Sequence, residues 1–232
     1  MKALVIIPAY NEEAAIVDTI NKLKQSCESV DYIIINDCSK DRTLEICKKN
    51  KFNVINLPIN LGIGGAVQTG YKYAYKNEYD IAIQMDADGQ HDPKYIKELI
   101  KKVEEGYDLV IGSRFLEKQG FQSTFLRRLG INLYSNIIKL FTRKEIKDTT
   151  SGYRAVSKKI IKLFSNNYPV DYPEPETNAF IAKNNYKIIE IPMEMKQRDT
   201  GSSSITPIKS IYYAIKVGLA VMLACIVKNK EV

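Results

Sequence analysis

Two carboxylates one residue apart, Asp86 and Asp88, stand at the end of an apolar run over residues 81–85, and Gly89, Gln90 and His91 follow them. An apolar run bounded by Asp80 and Asp86 reads as a buried strand. Ligands collect at strand ends in α/β folds, because loops leave the sheet there and backbone groups become free. A hydrophobic core cannot satisfy two acidic side chains, so they need solvent, a basic partner or a cation. Oxygen-rich pairs suit Mg²⁺ or Mn²⁺, ions that commonly also hold substrate phosphates. A polar Asx-type turn with no ligand accounts for the same residues. The spacing alone leaves both readings open.

The elements that must position this loop can be followed along the chain. Residues 3–7 read as a strand closed by Pro8. Asn11 is placed to cap the helix that follows, with Glu12 and Glu13 in its first turn and Ile16, Ile20 and Leu23 on its buried stripe. Further strands are expected at residues 32–36, 54–57, 81–85 and 109–111, with helices between them. One of these helices enters through the glycine-rich stretch Asn60-Leu61-Gly62-Ile63-Gly64-Gly65-Ala66, and another opens at Pro93. This alternation predicts an α/β fold with a mostly parallel central sheet flanked by helices. Right-handed crossovers then bring the strand ends at Asp37, Asp86 and Gly112 to one edge. Beyond residue 115 the alternation lapses. A long helix is expected over residues 123–141, then a polar, turn-prone stretch over 148–156 leading to a short strand, a helix after Tyr172-Pro173-Glu174-Pro175-Glu176-Thr177, and a late strand over 187–195.

The chain has 232 residues, 45% of them hydrophobic, which is enough for one domain with a sizeable core. Cys27, Cys38, Cys47 and Cys225 lie far apart without metal-ligand spacing. With no signal-peptide pattern at Met1-Lys2-Ala3-Leu4, they imply a reducing compartment. The formal net charge of +7 suits nucleic acid, an anionic membrane or phosphorylated substrates. A nucleic-acid partner is disfavoured: the tyrosines do not interleave with arginines, and such a role explains neither the acidic strand end nor the apolar tail.

That tail is the second informative element. Residues 217–227 are uncharged, and in a helix they rise about 16 Å, short of the roughly 30 Å hydrocarbon layer. Lys209, Lys216, Lys228 and Lys230 can snorkel to phosphate headgroups while the apolar face lies in the interface. The expected organisation is therefore a catalytic domain over 1–204 and an amphipathic, membrane-associating helical tail over 205–232. A helix packed on the protein itself, or in a dimer, is the alternative.

Five motifs then occur in order: Pro8-Ala9-Tyr10-Asn11-Glu12, Asn36-Asp37-Cys38-Ser39-Lys40-Asp41, Asn60-Leu61-Gly62-Ile63-Gly64-Gly65-Ala66, Asp86-Ala87-Asp88-Gly89-Gln90-His91 and Gly112-Ser113-Arg114. Together they resemble the family 2 glycosyltransferases of the GT-A nucleotide-sugar-binding fold, and within them the dolichol-phosphate mannose synthase branch and its bacterial polyprenyl-phosphate relatives. The resemblance covers residues 3–204. It implies transfer of a sugar from a nucleotide-diphosphate donor, with Mg²⁺ or Mn²⁺ and inversion of the anomeric centre.

The resemblance also implies residue roles. Pro8, Tyr10 and Glu12 would line the nucleotide pocket, and Asp37 would bond the base or ribose. Asp86 and Asp88 would be the metal-side carboxylates, with Gln90 a further metal ligand. Arg114 would sit near the donor or acceptor phosphates. Arg127 or Arg128, with Arg198, would grip the acceptor and leaving-group phosphates. Cys38 departs from the pattern, standing where many relatives carry aspartate or glycine. His91 fits a solvated turn residue or a phosphate contact equally.

Acidic pairs that supply the base in polysaccharide-building members are absent beyond the 148–154 stretch. A sugar hydroxyl has a very high pKa and needs a general base. A phosphate monoester is already anionic and needs only alignment and charge screening. Glu174 and Glu176 are candidate bases for a hydroxyl acceptor, but their default reading is a solvated helix start. The leading expectation is thus an inverting transferase moving a hexose or N-acetylhexosamine to undecaprenyl or dolichyl phosphate, peripheral at the cytoplasmic face of the membrane. Its partners would be the membrane surface or a small integral membrane subunit, and a homo-oligomer is compatible with the sequence. Alternatives are a transferase extending a lipid-linked saccharide in cell-wall or capsule synthesis, and a non-catalytic nucleotide-sugar-binding protein.

Overall fold

The computed structural model describes residues 1–117, 125–196 and 207–226. Seven strands form one sheet: β1 (Ala3–Ala9), β2 (Asp31–Asn36), β3 (Val54–Asn56), β4 (Ile81–Gln84), β5 (Leu109–Ser113), β6 (Arg154–Ser157) and β7 (Ile188–Pro192), in the spatial order β3-β2-β1-β4-β6-β5-β7. The helices are α1 (Ile16–Ser26), α2 (Thr43–Lys49), α3 (Gly62–Lys76), α4 (Ile96–Glu104), α5 (Phe125–Thr142), α6 (Lys158–Asn166), α7 (Pro173–Lys183) and α8 (Pro207–Ile226). The expectation of an α/β fold with a mostly parallel sheet holds. The departure is β6, which runs antiparallel and wedges between β4 and β5.

β1 shows why these residues make a central strand. Every residue in it is buried. Side chains alternate across the sheet, so Leu4 and Ile6 enter the core on one face while Val5 and Ile7 enter the core on the other. Each such side chain contributes about 1.5–3 kcal/mol by leaving water. α3 approaches β1 so closely that a Cβ on Gly70 would lie 2.2 Å from Cγ2 of Ile6. The C-terminal ends of β1, β2, β4 and β5 share one edge, and the loops that carry the acidic motif leave from it.

Asn11 does not cap α1. Its φ is 56°, and the helix begins after Ala15, which makes no side-chain cap bond. Asn11 Oδ1 instead accepts the Lys40 backbone N–H at 2.8 Å, tying the loop after β1 to the loop after β2. The amide is used to brace neighbouring strand ends. α6, for which the sequence pattern carried no expectation, follows β6 directly. The four cysteines are free thiols.

α8 has a protein-facing side. Val217, Val221 and Cys225 are buried in the same core as Tyr134 and Ile138 of α5 and Ala179 of α7. A Cβ at Gly218 would lie 3.9 Å from side-chain atoms of Leu133 and Ile137, so α8 lies directly on α5. Ile215, Leu219, Leu223 and Ile226 of α8 remain exposed, as do Leu129, Leu133 and Leu140 of α5. Among the described residues no helix is long and apolar enough to cross a membrane.

Candidate active site

Buried neighbours and hydrogen bonds hold the acidic loop in place. Met85 and Ala87 are buried in the core, which turns Asp86 and Asp88 outward by alternation. Gly89 takes φ +78°, a conformation glycine adopts without a Cβ clash, and the Gln90 N–H returns to Asp88 Oδ1 at 3.1 Å. The Thr19 hydroxyl donates to the Ala87 carbonyl at 3.0 Å from beneath.

His91 is not the solvated turn residue that is one of the two roles its sequence position allows. It is 4% exposed and stacks on Tyr153, with ring centroids 4.6 Å apart. Burial pushes its pKa down to about 4, so the imidazole is neutral near pH 7. Nδ1 accepts the Asp86 N–H at 2.9 Å, which puts the ring proton on Nε2, 3.8 Å from Asp86 Oδ2. The ring therefore holds the backbone of Asp86.

Asp86 and Asp88 border a cavity of about 520 Å³, and Pro8, Tyr10, Glu12 and Asp37 form one of its walls. Tyr10 is exposed, offering a ring face to a base or sugar. Asp37 is buried, and its Oδ1 accepts the Leu61 N–H at 2.7 Å, while the Asn60 side chain donates to the Asp37 carbonyl at 3.0 Å. These bonds pin the glycine-rich entry of α3, whose first turn (Gly62, Ile63, Ala66) also lines the cavity. A helix N-terminus there favours negative charge. Cys38 has φ 55°, the left-handed region that glycine, asparagine and aspartate enter more readily than other residues. That conformation accounts physically for the residue types usual at this point of the motif.

The expected cations separate. Arg127 lines the cavity. Arg128 lies 3.5 Å above the Phe115 ring instead. Arg114 is buried and engages Asp148 through two parallel bonds, Nε to Oδ2 at 2.7 Å and Nη2 to Oδ1 at 2.6 Å, with Thr150 Oγ1 at 2.9 Å. It does not form part of the cavity wall. Gln90 is also drawn away: its side-chain amide donates to the Lys196 carbonyl at 3.1 Å, and the Lys196 N–H returns to Gln90 O at 3.2 Å. Arg198 lies outside the described residues.

Glu174, whose default reading is a solvated helix start, borders the cavity. It lines the cavity from the first turn of α7, and its Oε1 accepts the Gln84 side-chain amide at 3.2 Å. Glu176 faces a separate recess beside Phe164, Phe180 and Ala224, where burial and Asp171 push its carboxyl pKa up. Both acids suit the start of a helix, so their residue type cannot reveal which one turns toward a ligand.

The donor set can be tested against a divalent ion. Among the described residues no cluster of three or more histidine, cysteine or acidic side chains could hold one. Two carboxylates are nevertheless the protein share that Mg²⁺ commonly takes, with substrate phosphates and water completing its octahedron. Asp86 and Asp88 thus fit an ion shared with a diphosphate, not one caged by protein alone.

Known proteins share this architecture. The family described as "Glycosyl transferase family 2" matches residues 4–164. An uncharacterized protein of Methanocaldococcus jannaschii is 33% identical over 91% of this chain and 90% of its own length. A UDP-N-acetylglucosamine–dolichyl-phosphate N-acetylglucosaminyltransferase of Methanococcus voltae is 35% identical over 82% of this chain and 83% of its own. Among solved structures, glucosyl-3-phosphoglycerate synthase from Mycobacterium tuberculosis, in complex with Mn²⁺, UDP and phosphoglyceric acid, superimposes with a TM-score of 0.72. The match covers 98% of this chain and 80% of that one at 18% identity, a likeness of fold.

Proposed function

Because this chain belongs to glycosyl transferase family 2, we propose that it moves a hexose or N-acetylhexosamine, with inversion, from a nucleotide-diphosphate sugar to a polyprenyl phosphate. The observation that carries this reading is a single cavity holding a nucleotide-type wall, the Asp86 and Asp88 pair, and Arg127. The Methanococcus voltae relative, whose name states a dolichyl-phosphate acceptor, supports the acceptor class.

In this reading Tyr10 and Asp37 orient the nucleoside, and the N-terminal turn of α3 faces the negatively charged diphosphate. Asp86 and Asp88 would hold Mg²⁺ or Mn²⁺, which when bound supplies charge stabilisation for the departing diphosphate. Arg127 screens and aligns the incoming phosphate, whose oxygen is nucleophilic without losing a proton. The exposed apolar side chains of α5 and α8 support peripheral contact with a membrane surface, where a polyprenyl phosphate presents its headgroup. The cytoplasmic face is the side on which nucleotide sugars would be met.

Glu174 favours a second reading, a saccharide-hydroxyl acceptor with that carboxylate as base. A screen of nucleotide-sugar donors with polyprenyl phosphate, read by product mass, tests the first reading. Formation of a sugar–phosphate–lipid product is expected. Transfer only to lipid-linked saccharide would replace it with the second, and no transfer to any lipid acceptor would defeat both.

A further inference from the structure

We propose that Glu174 reads the sugar of the donor by accepting a hydrogen bond from one of its hydroxyls, an inference that rests on the transferase reading above. The argument starts from Gln84, which is 1% exposed and lies two residues before Asp86, on the same side of the extended chain. Both ends of its amide are in use. The Tyr168 hydroxyl donates to Gln84 Oε1 at 3.4 Å, and Gln84 Nε2 donates to Glu174 Oε1 at 3.2 Å. Gln84 Nε2 can only donate, so the oxygen it meets, Glu174 Oε1, is the acceptor in this bond. Glu174 is thereby held as an acceptor. Among the described residues its second oxygen, Oε2, has no hydrogen-bond partner.

Gly152 locates the space that Glu174 shares. A Cβ at Gly152 would lie 3.2 Å from Gln84 Nε2 and 3.4 Å from both carboxylate oxygens of Asp86. The amide that holds Glu174 and the carboxylate on the diphosphate side thus border one small volume, kept open because residue 152 has no side chain. A carboxylate there repels phosphate and attracts hydroxyl donors. Two groups adjoin the diphosphate and carry such donors, the ribose and the transferred sugar; Tyr10 and Asp37 already supply the nucleoside wall, which leaves the transferred sugar for Glu174. A phosphate acceptor needs no base, so proton abstraction is not required of Glu174.

The experiment is calorimetric titration without acceptor, using UDP-glucose, UDP-N-acetylglucosamine and GDP-mannose beside UDP and GDP. Relative to wild type, Glu174→Ala should weaken sugar-nucleotide binding by roughly 10- to 100-fold, the range for a hydrogen bond to a charged group, and leave nucleoside-diphosphate binding unchanged. Gly152→Ala, which fills the shared volume from the opposite side, should show the same selectivity. A deoxy-sugar donor lacking the contacted hydroxyl should bind wild type and E174A equally. Undiminished sugar-nucleotide binding by E174A overturns the proposal; a collapsed turnover would then identify a general base, and a normal one a solvated residue. Equal loss of sugar-nucleotide and nucleoside-diphosphate binding, or a lowered melting temperature with selectivity also absent in G152A, makes the residue structural and likewise overturns it. If wild type binds none of the sugar nucleotides, the transferase reading fails, and this inference with it.

Discussion

Arg114 and Asp148 meet in a two-point ion pair from which solvent is excluded, the guanidinium 5% and the carboxylate 0% exposed. The Arg114 backbone N–H also donates to Asp148 Oδ2 at 3.1 Å, so the pair joins the end of β5 to the loop before β6. Removing one partner strands a buried charge, which costs about 3–5 kcal/mol. Arg114→Ala and Asp148→Asn are each expected to lower the urea midpoint strongly, whereas Arg114→Met with Asp148→Leu should recover most of the loss. An R114A protein that unfolds like wild type but fails to bind phosphates would return Arg114 to the role its motif suggested.

The second expectation concerns the divalent ion. Chelation should abolish transfer, and Asp88→Asn should reduce turnover on the order of 100-fold or more, the scale of lost metal assistance. The melting temperature should hold, because Asp88 is only partly buried and lies outside the two hydrophobic cores. Full turnover of D88N in chelator would remove Asp86 and Asp88 from the metal role.

His91 makes stability depend on pH. Its folded pKa of about 4 lies below the ordinary 6.5, so the unfolded chain binds the proton more readily. Its contribution is fully present above pH 6.5 and is lost as pH falls toward 4, by on the order of 1–3 kcal/mol. Denaturation midpoints between pH 7 and 4 should fall more steeply for wild type than for His91→Gln. Parallel curves would show that His91 titrates normally.

α8 separates two properties that a deletion would confuse. Leu219 and Leu223 are exposed, whereas Val221 is fully buried. Leu219→Glu with Leu223→Glu should reduce sedimentation with anionic phospholipid vesicles and leave the melting temperature near wild type. Val221→Asp should destabilise by several kcal/mol, about the scale for burying an unpaired charge. Undiminished vesicle binding by the double glutamate variant would exclude this face as the membrane contact. Removing residues 205–232 should destabilise the fold as well, because the deletion takes Val217, Val221 and Cys225 out of the core.

What could be read in the sequence was what local pattern encodes. β1, β2 and β4 were legible because strands buried on both faces must be apolar runs, and Asp37 and Asp86 were legible because such runs ended in acids. The placement of β6 was not, since its partners in β4 and β5 are distant along the chain. The pairing of Arg114 with Asp148 is not legible, because only the fold brings the two together. Glu174 and Glu176 were indistinguishable as residue types; the orientation of α7 sends one into the cavity and the other away. The burial of His91 is not legible either, because the polar loop around it gives no sign that Tyr153 covers its ring.

The wedge of β6 also sets when the sheet can be completed during synthesis. The β4 edge at Ile81–Gln84 finds its partner only when Arg154–Ser157 has emerged. At roughly 5–20 residues per second, that interval is on the order of several seconds. Through it, an apolar strand edge is open to pairing with any neighbouring chain. The nascent protein therefore carries an aggregation hazard in mid-translation, and a ribosome pause before residue 157 would prolong it.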